Sequence, residues 1–291
     1  MEKKIIPDSE LIINSDGSIF HLHLTPEQLT DKIIIVGDPS RVDMVASHFD
    51  TQDFNVSSRE FHTIGGTYKG KKIMCLSHGI GPDNIDIVMN ELDALANIDF
   101  DTRTIKDNLR QLEIVRIGTS GSLQADIELG TPVIATKAIG FDGVLNFYAN
   151  RNEVCDLAFE EAFCNHVKWN PLWCKPYIVD ADADLVNRIG RDDMLRGNTI
   201  AAVGFYGPQG REVRLPLAEP ELNNRIETFR HNGLRVTNYE MESSTLQGLA
   251  KLMGHKAMTV CSIIANRRNK GATPNYKTAI ADLVKIVLDR I

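Results

Sequence analysis

Four consecutive β-branched residues, Ile33-Ile-Ile-Val36, run straight into Gly37-Asp-Pro-Ser-Arg41, and this junction constrains the fold more than any other stretch of the chain. An unbroken apolar run of that length suits a strand buried on both faces, inside a sheet that helices cover on each side. The residues that follow turn into a helix, because Val42, Val45, Ala46 and Phe49 keep helical spacing and Pro39 suits a first helical turn. Strand, tight turn and helix N-terminus together make an anion site. Gly37 lets its backbone N–H approach a ligand, and Arg41 can swing back onto it.

The same alternation continues along the chain. Strands are expected at 33–36, 72–77, 113–118, 132–139, 199–205, 235–239 and 257–265. Helices are expected at 83–97, with Ile85, Val88, Met89, Leu92 and Ala96 on one face, and at 154–168, 221–231 and 240–253, with Gly254 as a C-terminal cap. A further helix starts near 277, and residues 99–112 read as a polar insertion. No Pro/Ser linker, charge block or internal repeat divides the 291 residues, so one α/β domain over 1–291 is expected.

A second arginine loop, Arg116-Ile-Gly-Thr-Ser-Gly121, follows the apolar approach Leu112-Glu-Ile-Val115. A strand ending this way can present a guanidinium, hydroxyls and free backbone N–H groups to one small anion. It is not a Walker loop, since no Gly-Lys-[ST] follows the required spacer. With Arg59 in Ser57-Ser-Arg-Glu-Phe61, the two loops suggest a three-arginine pocket for a dianionic phosphate. A dinucleotide fold fails its own test: Gly79-Ile-Gly81 continues as Pro82-Asp-Asn and lacks the third glycine.

These arginines are local features of an acidic protein. A net charge of −7 and a pI near 5.6 argue against nucleic acid or anionic membrane as a partner. No apolar run approaches the roughly 20 residues of a membrane span, and Met1-Glu-Lys-Lys-Ile-Ile-Pro7 lacks a signal-peptide core, so the cytosol is expected. Five cysteines without a Cys-x-x-Cys pair read as reduced thiols, with Cys75 and Cys261 in the core. His21 and His23 would share one side of a strand without an acidic or thiol companion nearby, so no metal site is expected.

Asn238-Tyr-Glu-Met-Glu-Ser243 marks a passage from extended chain into helix. Glu240 and Glu242 could simply favour the positive end of the helix dipole. They also point in different directions, so that one carboxylate can accept from a ribose diol while Met241 packs on the sugar's apolar face. In the loop Phe205-Tyr-Gly-Pro-Gln-Gly-Arg211, Gln209 and Arg211 can aim at one planar ligand with Phe205 stacked on its ring, a set that matches a pyrimidine-2,4-dione better than a purine.

Taken together, Phe20-His-Leu22, Gly37-Asp-Pro-Ser-Arg41, Ser58-Arg-Glu-Phe61, Gly79-Ile-Gly81, Glu91-Leu92, Arg116-Ile-Gly-Thr-Ser-Gly121, Gln209-x-Arg211, Asn238-Tyr-Glu-Met-Glu-Ser243 and Asn266-Arg267 are similar in order and spacing to the hexameric-type nucleoside phosphorylase family, and within it to members that act on uridine. The resemblance implies a single α/β domain whose mixed sheet forms a distorted barrel flanked by helices. It implies reversible phosphorolysis of uridine to uracil and ribose 1-phosphate, with inorganic phosphate as co-substrate and no cofactor or metal. Gly37, Arg41, Arg116 and Thr119 would hold phosphate, joined by Arg59 from a neighbouring subunit. Met241, Glu242 and Thr119 would hold ribose, joined by that neighbour's His21. Gln209 and Arg211 would bind the base, Phe205, Ser120, Gly121, Glu240 and Ile264 would line or support its pocket, and Arg267 would order the loop over it. Arg116, Arg211, Gln209 and Glu242 would carry the catalysis.

Three rival readings remain. A purine nucleoside phosphorylase would carry an acid where Ile263-Ile-Ala-Asn-Arg267 has none, a nucleosidase would have little use for the arginines, and a silent nucleoside-binding relative would be expected to lose one of these groups. Ser120 replaces a second Thr and keeps its hydroxyl. Asn84 replaces a small hydroxyl residue that, with Glu60 and Ile80, forms an interfacial monovalent-cation site in some relatives, so that site is not expected. The insertion 99–112 and the stretch 140–175 bear on subunit packing and leave dimer and hexamer both open.

Overall fold

The computed structural model describes residues 3–269, 271–272 and 276–291. In chain order its elements begin β1 (Lys32–Val36), α1 (Pro39–Ala46), β2 (Thr51–Ser58), β3 (Phe61–Tyr68), β4 (Lys71–Ser77), α2 (Pro82–Asn97), β5 (Ile98–Asp99), β6 (Thr104–Ile105), β7 (Glu113–Ser122) and β8 (Pro132–Gly140). They continue with α3 (Arg151–Val154), α4 (Leu157–Val167), β9 (Tyr177–Asp180), α5 (Ala183–Gly190), β10 (Leu195–Ala201), α6 (Leu222–Thr228), β11 (Val236–Glu240), α7 (Ser243–Met253), β12 (Lys256–Asn266), β13 (Gly271–Ala272) and α8 (Lys277–Arg290).

An 11-stranded sheet follows the order β13-β12-β8-β10-β11-β7-β1-β4-β3-β2, with β9 on β8. A second pairing of β12 with β7 closes β7, β11, β10, β8 and β12 into a ring, a distorted barrel from which β1, β4, β3 and β2 extend as a wing. Strand β1 runs parallel to β4 and β7, and β7 runs parallel to β12 but antiparallel to β11, so the sheet is mixed.

The opening apolar run is continuous because its alternate residues serve two cores. Ile33 and Ile35 pack with Leu76 of β4 and with Val88 and Leu92 of α2. Ile34 and Val36 pack on the other face with Val42 and Val45 of α1 and with Val284 and Val287 of α8. Each such side chain, fully buried, contributes about 1.5–3 kcal/mol. A third, aromatic cluster of Phe159, Phe163, Phe229 and Tyr239 sits under α4 and α6.

Several boundaries depart from the sequence reading. The strand expected at 199–205 is β10, at 195–201, because the chain beyond Ala202 leaves the sheet and exposes Val203 and Phe205. Helix α7 begins at Ser243 rather than 240, since Glu240 is the last residue of β11. The helix expected at 154–168 is α4, at 157–167, behind the short α3, and the one expected at 221–231 is confined to 222–228. Residues 99–112 contain the strand β6, which pairs with β5. His21 lies in a turn and His23 outside any strand or helix, and His21 does have an acidic companion, its Nδ1 lying 2.6 Å from Glu91 Oε1.

Candidate active site

The C-terminal ends of the parallel strands β1, β4, β7 and β12 open on one side of the sheet, where ligands of α/β proteins commonly sit. Strand β1 stops at Val36, opposite Ile117 of β7. Residues 118–121 therefore run on without that neighbour and form a wall of a cavity of about 790 Å³.

Arg116 is 4% exposed, and its charge needs partners at such depth. Gly118 is on the same face two residues on, and its missing side chain makes the space: a Cβ there would lie 2.8 Å from Arg116 Nη1 and 2.9 Å from Cys261 Sγ. Arg116 Nε donates to His78 Nε2 at 3.1 Å, and Nη1 donates to Glu240 Oε2 at 2.9 Å and to Cys261 Sγ at 3.6 Å. Nη2 donates to Glu242 Oε2. One N–H at Nε, two at Nη1 and one at Nη2 are thus engaged, which leaves one of the guanidinium's five for a ligand. Burial disfavours the Arg116 charge, but Glu242 and Glu240 outweigh it and hold the group protonated.

The two carboxylates do different work. Glu240 accepts from the backbone N–H groups of Glu242 at 2.8 Å and of Ser243 at 3.0 Å, so it stabilises the N-terminus of α7 as well as Arg116. Glu242 Oε1 accepts the Gly81 N–H at 2.8 Å, from the loop that follows β4. Burial pushes the Glu242 carboxyl above the usual carboxylate range, with Arg116 pulling the other way and Glu240 adding to the rise.

Gly37 and Arg41 line the same cavity, so the two arginine loops meet although 75 positions separate Arg41 from Arg116 (116 minus 41). The helix N-terminus expected to hold an anion is already capped, because the Asp38 carboxylate accepts the Ser40 N–H at 2.9 Å. Thr119, Ser120 and Gly121 continue the wall, and Ser120 Oγ is buried with no hydrogen-bond partner among the described residues.

At the far end the loop after β10 brings Gln209 and Arg211 to the cavity, which Ile264 and Met241 also line. Gln209 Oε1 accepts from Arg211 Nη1 at 2.7 Å and from Arg267 Nη2 at 3.1 Å. Arg267 Nη1 also holds the Gln209 backbone oxygen at 2.9 Å, and it does not itself line the cavity. The Arg211 guanidinium covers the ring of Phe205 at 3.6 Å, so in this arrangement one face of Phe205 is taken by Arg211. Burial, then Arg267 alongside, pushes Arg211 down to about 10.

Arg59 and His21 do not line the cavity of their own chain. Arg59 sits at the β2–β3 turn with φ 54°, its guanidinium 5.7 Å from the centre of the Phe20 ring, and that ring lies 4.6 Å from His21. Sequence reasoning missed His78 and Tyr276. His78 had one usable signal, a polar residue at the end of an expected strand just before Gly79-Ile-Gly81. Tyr276 lines the cavity as the residue preceding α8 and carried none. Among the described residues no cluster of three or more His, Cys, Asp or Glu side chains is placed to hold a metal ion, and no helix is long and apolar enough to cross a membrane.

Residues 31–289 match the family model described as the phosphorylase superfamily. The chain is 30% identical over 267 residues to a uridine phosphorylase of Haemophilus influenzae, covering 90% of this chain and 91% of that one. It is 29% identical over 260 residues to a uridine phosphorylase of Thermococcus kodakarensis, covering 87% of this chain and 79% of that one. A solved structure of a Trypanosoma brucei nucleoside phosphorylase, described as showing uridine phosphorylase activity, superposes with a TM-score of 0.87 at 26% identity, over 96% of this chain and 98% of that one.

Proposed function

The chain belongs to the phosphorylase superfamily, and from that premise we propose that it is a pentosyltransferase catalysing the reversible phosphorolysis of uridine to uracil and ribose 1-phosphate. One observation carries this reading. A single cavity joins Arg41 and the caged Arg116 at one end to the Gln209–Arg211 pair at the other, with the Glu242 carboxylate bonded to Arg116.

The chemistry follows from charge. As the glycosidic bond breaks, the base leaves with the electron pair, positive charge grows on the ribose, and a phosphate oxygen forms the new bond to C1′. Catalysis then consists of holding the phosphate close and stabilising both developing charges. Arg41, Arg116, Thr119 and the Gly37 N–H are assigned to phosphate, with Glu242 and Met241 assigned to ribose. Gln209 Oε1 already accepts from two guanidiniums, so its Nε2–H₂ is the end left to donate. With Arg211 it presents donors to a base that offers carbonyl oxygens, and the amino group of cytosine would set donor against donor there. Ser120, Gly121, Phe205 and Ile264 are assigned to this end and Arg267 holds its loop, whereas Glu240, expected from the sequence to support the base pocket, is bonded to Arg116 at the other end.

Arg59 and His21 are assigned to the site of a neighbouring protomer, in a dimer or hexamer acting in the cytoplasm without cofactor or metal. The test is direct. Purified protein given uridine should release uracil only when phosphate is present, and Arg211→Ala should lower kcat/KM by about 100-fold or more. Turnover without phosphate, or equal turnover of inosine, overturns the assignment.

A further inference from the structure

We propose that His78 is a positioning residue of this site: its imidazole accepts the Arg116 Nε–H and thereby sets the plane of the guanidinium that meets phosphate. The inference rests on the phosphorolysis reading above. His78 follows β4, is fully buried, and places Nε2 3.1 Å from Arg116 Nε. An Nε2 that accepts carries no proton, so in the neutral ring the proton is on Nδ1, which has no partner among the described residues. The charged groups that bear on it are the cations Arg116 and Arg41, and burial together with them holds the ring well below its usual range.

Charge explains why an imidazole stands here. Arg116 already faces two carboxylates. A third, placed at Nε, would leave a strongly negative cluster where an anion must bind, whereas a neutral ring satisfies the buried N–H and cancels none of the positive charge. The same four-residue segment, 78–81, also donates the Gly81 N–H to Glu242, so it braces both halves of the ion pair from one side. Without the acceptor, the guanidinium keeps its carboxylates but is free to turn about them, and its remaining N–H loses its direction.

Three variants separate position from bulk. A Gln side chain reaches as far as His Nε2 and keeps an acceptor there, Asn reaches only as far as Nδ1, and Leu offers none. Steady-state kinetics with phosphate and uridine varied separately, alongside thermal midpoints, should show His78→Asn and His78→Leu raising the phosphate KM about tenfold or more, beyond any rise in the uridine KM, with His78→Gln within about threefold of the wild type. Equal impairment of Gln and Asn variants, or an unmoved phosphate KM in all three, overturns the proposal. Should the variants fold poorly, ¹⁵N-histidine spectra of the wild-type protein still decide: a neutral ring protonated on Nδ1 is expected at neutral pH, and an Nε2-protonated or cationic His78 refutes it. Wild-type turnover without phosphate would instead refute the reaction itself, and the tautomer would then test the His78–Arg116 contact alone.

Discussion

A glycine decides whether Arg116 can be where it is. In the sequence Gly118 looked like a means of freeing a backbone N–H, but in the structure its main contribution is volume, since the guanidinium folds into the space a side chain would fill. Gly118→Ala is therefore expected to displace Arg116 and lower kcat/KM by about 100-fold, the usual order for misplacing a catalytic group by about 1 Å. A fall of less than about threefold, measured with both substrates saturating and then limiting, would mean that the cage absorbs the methyl group without moving Arg116. At this scale the sequence was informative about which residues line the cavity and silent about what holds them. Arg116, Glu242, Gln209 and Arg211 stand in recognisable local patterns, whereas the contacts of Arg116 to His78 and Cys261 span 38 and 145 positions and leave no periodic trace.

Among elements, β7 is the beam that carries the site, and its N-terminal end is anchored by charge. Glu113 accepts from Lys32 of β1 at 2.8 Å and from Arg188 of α5 at 2.7 Å. Burial works against its ionisation, but Arg188 and Lys32 outweigh that and bring the carboxyl down from 4.5 to about 2. A group lowered on folding contributes stability above its unfolded value and loses it as pH falls toward the folded one. Glu113→Gln should thus lower the thermal midpoint at pH 7, and the gap from wild type should close as pH drops from about 5 toward 3. A gap that stays constant with pH would assign the contribution to packing instead of charge.

Elements buried on both faces were the legible ones, because a run such as Ile33–Val36 announces itself. The hairpin β2–β3 did not. Strand β2 is a polar edge, and β3 contains Gly65-Gly66, which reads as a turn but lies flat in the sheet so that β2 can come close. A Cβ on Gly65 would meet the Phe54 ring at 2.2 Å, and one on Gly66 would meet the Thr51 carbonyl oxygen at 1.9 Å. Strand β10 starts ahead of its apolar run for a related reason, since Gly197 and the buried polar Asn198 interrupt the pattern in its first half.

For the molecule as a whole, the proposed assembly makes a quantitative demand. If each site takes Arg116 from its own chain and Arg59 from the neighbour, Arg59→Ala and Arg116→Ala proteins are each inactive, yet a mixed dimer contains one intact site. Unfolding and refolding the two at equal amounts should restore about a quarter of wild-type activity, since about half the dimers are mixed and half their sites are whole. No recovery would place both arginines in the same chain's site, and an Arg59→Ala protein that is active by itself would make Arg59 dispensable.

The bond between Arg116 and Glu242 has a consequence for how the two substrates find each other. One partner is assigned to the anion and the other to the sugar, and both are gripped by the segment 78–81. Whatever settles the guanidinium also settles the carboxylate, so the first substrate to arrive spares the second part of its ordering cost. Thermodynamic reciprocity then makes the favour mutual, each substrate raising the affinity for the other by the same factor.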